Sequence, residues 1–283
     1  MMNILANMIK KRFIRRMDID SVEMDMLVCR HAAVTQRTPR GQLKKLIEML
    51  APVKYEGRGL IRMGASADSG YLIPDDLVGV DACFSPGVDQ VSKFEKDCAD
   101  YGMKVFMADK SVDRPAENHD SFAFVQKYIG ALTTDEFMTM DHWVKSSLQN
   151  HHSDLLLQMD IEGAEYEALL CMSDELMQRF RIMVVEFHEL DQLWSAPFFS
   201  LGRRVFEKIL QTHMCVHIHP NNCCGTLLKD GIEIPRIMEF TFLRNDRLGM
   251  YTPAMTFPHE LDSDCTSKPP IPLPSCWFGN PED

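Results

Sequence analysis

Apolar residues fall along this chain in short, nearly continuous runs, separated by stretches in which they recur at helical spacing. The clearest run is Leu155-Leu156-Leu157-Gln158-Met159. It breaks into Asp160-Ile161-Glu162-Gly163-Ala164-Glu165, then resumes with Tyr166, Leu169 and Leu170 on a helical period. A strand covered on both faces loses the polar alternation of a half-exposed one, so this reads as a buried parallel strand feeding a helix. Similar runs predict strands over 78–84, 104–108, 121–129, 182–188, 215–222 and 235–243. Helical spacing predicts helices over 91–101, 141–148 with Asp141 as N-cap, and 197–213 with its proline in the first turn. Two shorter runs, 60–63 and 71–73, flank a polar, glycine-containing turn and predict a hairpin or strand-loop-strand. The first fifty residues read as helical, the last helix closing over 42–50 because the residue before Pro52 avoids helical geometry. From Gly249 onward prolines and turn residues dominate, predicting an irregular tail that wraps the domain or is partly disordered. Strands alternating with helices, closing on two strands joined by a loop, predict an α/β fold. It is a Rossmann-like, seven-stranded, doubly wound sheet, mostly parallel with an antiparallel last strand. The expected division is a helical extension over 1–52, the main domain over 53–248 and the tail over 249–283.

Composition narrows the function classes more than the fold. At 283 residues, 45% hydrophobic and 25% charged, the chain has the make-up of an ordinary globular protein. A formal charge of −11 argues against a nonspecific nucleic-acid or anionic-membrane binder, which needs a positive field. Nine cysteines with no C-x-x-C pair, some inside expected core strands, point to free thiols in a reducing, cytoplasmic compartment. The adjacent Cys223 and Cys224 read as loop thiols. No run reaches the length of a membrane span. Residues 1–17 carry Lys10, Lys11, Arg12, Arg15 and Arg16 among apolar positions, without the long apolar segment of a secretory signal. They read as a basic amphipathic helix, for packing or for contact with a membrane surface or with a partner such as a second copy of the chain.

If the parallel strands end together, one edge collects the ionisable groups, and in open α/β sheets ligands bind at that edge. The strand over 78–84 runs into Ser85-Pro86-Gly87 and a helix, the geometry that lets backbone amides approach a nucleotide-like ligand. Asp109 closes the next strand about twenty positions after Gly87, where this architecture places an acid on ribose hydroxyls. A helix-cap or turn acid is the alternative. Further along the edge stand Asp160, Glu162, Glu165, Glu186, His188, His219 and Asn221. Crowded carboxylates raise one another's pKa unless a cation or proton compensates. Two readings stay open. Asp160, Glu186, His188 and His219 hold a divalent ion such as magnesium or manganese, or one histidine or acid is a general base while the other acids hold ligand hydroxyls. Neither histidine has the spacing of H-E-x-x-H. Glu165, in the first turn of its helix, complements the helix dipole.

Asp160-Ile161-Glu162-Gly163-Ala164-Glu165, with Glu186-Phe187-His188 downstream, resembles the D-[IV]-E-G-x-E and E-x-H signatures of the FkbM-type S-adenosylmethionine-dependent methyltransferases. Arg62 to Tyr71, containing Gly64 and Asp68-Ser69-Gly70-Tyr71, is similar to the R-x-G-x-x-x-D-G-G-Y entry of one branch, with Ser69 for a glycine. The resemblance covers roughly residues 60–243. It implies a class I methyltransferase fold that binds S-adenosylmethionine over the first two strand ends, with a sugar or other small-molecule hydroxyl as acceptor. Carried onto this sequence, the cofactor-binding candidates are Ser85, Gly87, Asp109, Lys110, Asp160 and Gly163. The acceptor-binding candidates are Arg62, Asp68, Tyr71, Glu162 and Asn221, and His188, Asp160 and His219 are the catalytic ones. One departure is that Phe84-Ser85-Pro86-Gly87-Val88 stands where many methyltransferases carry an acid and several glycines. A nicotinamide-dinucleotide enzyme and a catalytically silent binding module are the alternatives.

Overall fold

The computed structural model describes residues 35–279 apart from 58, 67, 68, 89 and 90. The basic helix expected over 1–17 and the candidate Asp68 lie outside the described residues. The first described helix, α1 (Arg40–Leu50), buries Leu43, Leu46, Ile47 and Leu50 along one stripe and stops before Pro52. There follow β1 (Val53–Tyr55), the hairpin β2 (Leu60–Gly64) and β3 (Gly70–Pro74), β4 (Val80–Pro86), α2 (Lys93–Asp100), β5 (Lys104–Ala108) and β6 (Phe122–Val125). A two-residue ladder, β7 (Tyr128–Ile129) with β8 (Phe137–Met138), precedes α3 (Met140–Ser147), β9 (Asp154–Met159), α4 (Glu165–Cys171), α5 (Asp174–Arg179) and β10 (Phe180–Phe187). The remainder is α6 (Ala196–Ile209), β11 (His213–Pro220), the hairpin β12 (Thr226–Lys229) and β13 (Ile232–Pro235), β14 (Met238–Arg244) and β15 (Tyr251–Pro253).

Seven strands form the central sheet in the order β11-β14-β10-β9-β4-β5-β6. Neighbours from β10 to β6 are parallel, and β14 runs antiparallel to both β10 and β11. The expected seven-stranded, mostly parallel fold is therefore present. Its centre is β9, whose Leu155, Leu156, Leu157 and Met159 are fully buried. Although these strands look uniformly apolar, their side chains still alternate between two cores. Phe84, Leu155, Leu157, Val185 and Phe240 pack against α1 and α3 to α6. Cys83, Leu156, Ile182, Val184 and Leu243 pack against α2 and the β2–β3 hairpin. At the amino edge of the sheet Arg181, 5% exposed, is neutralised by Asp154 at 2.7 Å, which Arg244 grips from β14.

Several expected boundaries shift for physical reasons. The strand expected over 78–84 runs two residues later, after a turn at Gly79 with φ +85°, so Ser85 and Pro86 belong to the strand and not to the loop. The strand expected over 121–129 ends at Val125, and Tyr128 and Ile129 leave to pair with β8. Asp141 does not cap α3: the Thr139 hydroxyl accepts from His142 N, while Asp141 accepts from the backbone N of Ser173, 2.9 Å away. The connection before the last sheet strand is a hairpin and not a plain loop.

The tail wraps the domain. Its β15 pairs antiparallel with β1, after which the chain crosses the sheet edge. Asp262 lies 2.8 Å from His217 Nε2, Arg62 donates to Leu261 O at 3.4 Å, and Thr266 N donates to Asn222 Oδ1 at 2.8 Å. The strap ends on Trp277, fully buried, whose indole N–H donates to Glu233 O.

Candidate active site

Because side chains alternate along a strand, Ser85, Gln158, Glu186 and Glu239 fall on the same face as Cys83, Leu156 and Val184. The register continues this row sideways: Glu239 on β14 stands opposite Glu186 on one side and His219 on the other. One face of the sheet is thus apolar for most of its length and ionisable at its carboxyl end. There a cavity of about 600 Å³ opens, within the size range of small-molecule and cofactor sites.

Gly87, Val88, Ala108, Asp109 and Ser111 form one end of the cavity, with Tyr128, Ile129 and Phe137 as an apolar flank. Gly87 has φ +84°, and a Cβ there would stand 1.5 Å from Asp160 O, so only glycine lets the tips of β4 and β9 come this close. Asp109 is held by its surroundings, its carboxylate accepting from Val88 N at 3.0 Å and from Ser111 N and Oγ, each at 2.7 Å. The carboxylate, held in this way, lines the cavity.

The opposite end gathers acids around one imidazole. His188 Nδ1 lies 3.1 Å from Glu165 Oε1. Its Nε2 has Glu162 Oε2 at 3.4 Å, Glu186 Oε1 at 3.7 Å and Asp160 Oδ1 at 3.8 Å. Burial alone would push the His188 pKa down. The hydrogen bond and charge of Glu165, with the charges of Asp160 and Glu186, outweigh it and raise the pKa to about 9. At neutral pH the ring is an imidazolium among four acids.

Glu165 does more than complement the helix dipole. Fully buried, it reaches back to accept from Ile161 N at 2.9 Å and Gly163 N at 3.0 Å, fixing the turn that carries Asp160 and Glu162. That turn places Glu162 at φ +56° and Gly163 at φ +101°. Asp160, Glu165 and His188 offer ligand atoms within 4.8 Å of one another, yet Glu165 is already committed to two backbone amides. Glu186 Oε1 approaches His188 Nε2 but does not belong to that mutually close set.

The cavity is lined by Gly87, Asp109, Asp160, Tyr71, Glu162, Glu186, His188 and Asn221 together. Asn221 donates to Glu186 Oε1 at 3.1 Å. Other candidates stand apart. Ser85 is buried beneath the cavity against Glu95 and Gln158. Lys110 and Gly163 flank the cavity without lining it. Arg62 donates to Ala65 O and to the tail. His219 is drawn away from the acid–imidazole set, its Nδ1 3.6 Å from Asp262, so the expected four-residue metal set loses a member.

Sequence reasoning missed Glu95, Gln158, Glu239 and the wall of Cys223, Cys224, Cys265 and Thr266. Burial raises the Glu239 pKa to about 8 against the lowering effect of Cys265 and Arg62. Position opposite Glu186 was the signal that could have found it, but register is not visible before strands are paired. The eight described cysteines are free. No helix among the described residues is long and apolar enough to cross a membrane.

No curated protein matches the chain. Among solved structures, it is similar to the 16S rRNA (adenine(1408)-N(1))-methyltransferase from Catenulisporales acidiphilia, at 7% identity and a TM-score of 0.29, over 65% of this chain and 97% of that one. It is also similar to the 1,6-didemethyltoxoflavin-N1-methyltransferase from Burkholderia thailandensis, at 12% identity and a TM-score of 0.29, over 59% and 72%. The sequence profile described as the methyltransferase FkbM domain matches residues 79–213, the span from the turn before β4 to the start of β11 that carries the glycine turn, Asp109 and the acid–imidazole set. Residues 79–213 are thus similar to the methyltransferase FkbM domain.

Proposed function

We propose that the protein transfers a methyl group from S-adenosylmethionine to a hydroxyl of a carbohydrate or related small molecule. The observation that carries this is the single cavity joining Gly87 and Asp109 at one end to Asp160, Glu186 and His188 at the other. Asp109, pre-oriented by Val88 and Ser111, is built to take ribose hydroxyls, and the flank of Tyr128, Ile129 and Phe137 suits an adenine ring. Methyl transfer is an in-line displacement, so the chain's work is to align acceptor and sulfonium and to receive the hydroxyl proton. Asp160 takes the proton in this reading, and the His188 imidazolium, already protonated, balances the charge of the acids around it. Glu186 and Asn221 hold neighbouring hydroxyls.

The approach of Asp160, Glu165 and His188 ligand atoms to within 4.8 Å of one another favours a second reading of that end, in which they hold a divalent cation. Bound there, a cation would lower the pKa of the acceptor hydroxyl. It would compete with the His188 proton for the same carboxylates.

The test is methyl transfer from labelled S-adenosylmethionine to a panel of free and nucleotide-linked sugars, with amine acceptors alongside. Asp160→Asn and His188→Asn are each expected to cut turnover at least about hundredfold while S-adenosylhomocysteine still binds. Undiminished turnover in both would refute the site, and methylation of amines alone would refute the hydroxyl acceptor. Treatment with EDTA separates the two readings: turnover that survives complete metal removal leaves Asp160 as the proton acceptor, and turnover restored only by added magnesium or manganese establishes the cation.

A further inference from the structure

Beneath the cavity floor lies a chain of polar side chains that the transfer step does not use. Glu95, in the first turn of α2, lines the cavity and is 4% exposed. Its Oε1 is 2.5 Å from Ser85 Oγ, which is 2.6 Å from Gln158 Oε1. Gln158 Nε2 in turn donates to the Tyr71 hydroxyl at 3.2 Å. A serine hydroxyl carries one hydrogen. With the Gln158 oxygen turned toward it, Ser85 faces two oxygens and donates to Gln158, and in that arrangement the hydrogen between Ser85 and Glu95 comes from a protonated Glu95. Burial acts in the same direction, raising the Glu95 pKa from 4.5 to about 7 against the lowering effect of the Ser85 bond. The charges that reach it, Asp97 on its own helix and Glu117 in the loop after β5, are both negative and add to the rise. The Cys98 thiol on α2 also feels Glu95 and is itself held neutral by burial.

Glu95 is therefore an acid that is neutral below about pH 7 and faces a ligand cavity, beside a strand tip that offers Ser85 where an acid would be expected. With its ribose on Asp109, the cofactor lies over the tips of β4 and β5 and must place its methionine moiety, with a positively charged α-ammonium, along the cavity toward Gly87. We infer that Glu95 takes this ammonium, supplying from α2 the carboxylate that the tip of β4 lacks. This rests on the methyltransferase reading above. On binding, Glu95 gives its proton to solvent and the ammonium, keeping its three hydrogens, donates to the carboxylate. Ser85 then donates to Glu95. The Gln158 amide turns over so that its NH₂ donates to Ser85 and its oxygen accepts from Tyr71. Every member stays satisfied in both states, and below about pH 7 cofactor binding releases a proton.

Calorimetry on the full chain and on Glu95→Gln tests this, with S-adenosylhomocysteine and with 5′-methylthioadenosine, which lacks the amino-acid moiety. Titrations at pH 6 and pH 8, in buffers of different ionisation enthalpy, read the proton. In Glu95→Gln, S-adenosylhomocysteine is expected to bind about tenfold to hundredfold more weakly, with the proton release at pH 6 abolished. 5′-Methylthioadenosine is expected to bind both proteins equally and to release none. Equal affinity of both proteins for S-adenosylhomocysteine would overturn the role of Glu95 and leave the methyltransferase reading standing. An equal loss for both ligands would overturn it too, as a merely structural effect. Failure of the unmodified chain to bind either ligand would remove the reading on which the inference rests.

Discussion

At Gly87 the chain turns with φ +84° in a space where any Cβ meets the carbonyl of Asp160. Gly87→Ala combines a strained backbone with a backbone clash, so a loss of at least about 2 kcal/mol is expected, measurable by urea unfolding. The same substitution separates the tips that carry Gly87 and Asp160 and is expected to abolish titratable cofactor binding. His213 gives a different kind of prediction. Its Nε2 lies 2.7 Å from Phe180 O, and burial lowers its pKa from 6.5 to about 4. The unfolded chain accepts a proton below about pH 6.5 that the folded ring resists. The stabilising contribution is therefore present above pH 6.5 and is lost as pH falls toward 4. Between pH 7 and 5 the protein is expected to lose about 2 kcal/mol more than His213→Gln, read from denaturant titrations at each pH. Among single residues, Asp109, Asp160, Glu186 and His188 were legible in the sequence because each closes an apolar run. Glu95 was not: within Lys93-Phe94-Glu95-Lys96-Asp97 it reads as one more solvated helix position, and only the packing of α2 on the sheet turns it inward.

Among elements, the strands were legible because burial on both faces writes itself as apolar runs, while their ends moved by a residue or two wherever a neighbour captured the chain. The β12–β13 hairpin was hidden by the polar, glycine-containing segment that holds its turns. The tail's irregularity beyond β15 was legible, but its attachment there was not, since it is tied by side-chain contacts such as Asp262 to His217 and Trp277 to Glu233. It nonetheless supplies Cys265 and Thr266 to the cavity wall. A chain ended after Pro253 is expected to lose several kcal/mol with the burial of Trp277 and Leu273. Its Tm should fall, and any acceptor bound against Thr266 should show a raised KM before S-adenosylhomocysteine affinity changes.

For the molecule as a whole, the similarity to the FkbM domain ends at residue 213, but the sheet does not. β14 lies between β10 and β11, joining two strands that never pair directly. It is also the last sheet strand in sequence, which gives the order of synthesis a consequence. Once β10 has emerged from the ribosome, its free edge, flanked by Val184, Val185 and Phe187, waits for residues 238–244. At about 5–20 residues per second that wait lasts about 3 to 11 s. An unpaired apolar edge recruits other strands, so the nascent protein needs shielding during this interval. Chains stopped after Pro235 should stay protease-sensitive and chaperone-bound, and those that include β14 should become resistant together with the rest of the sheet.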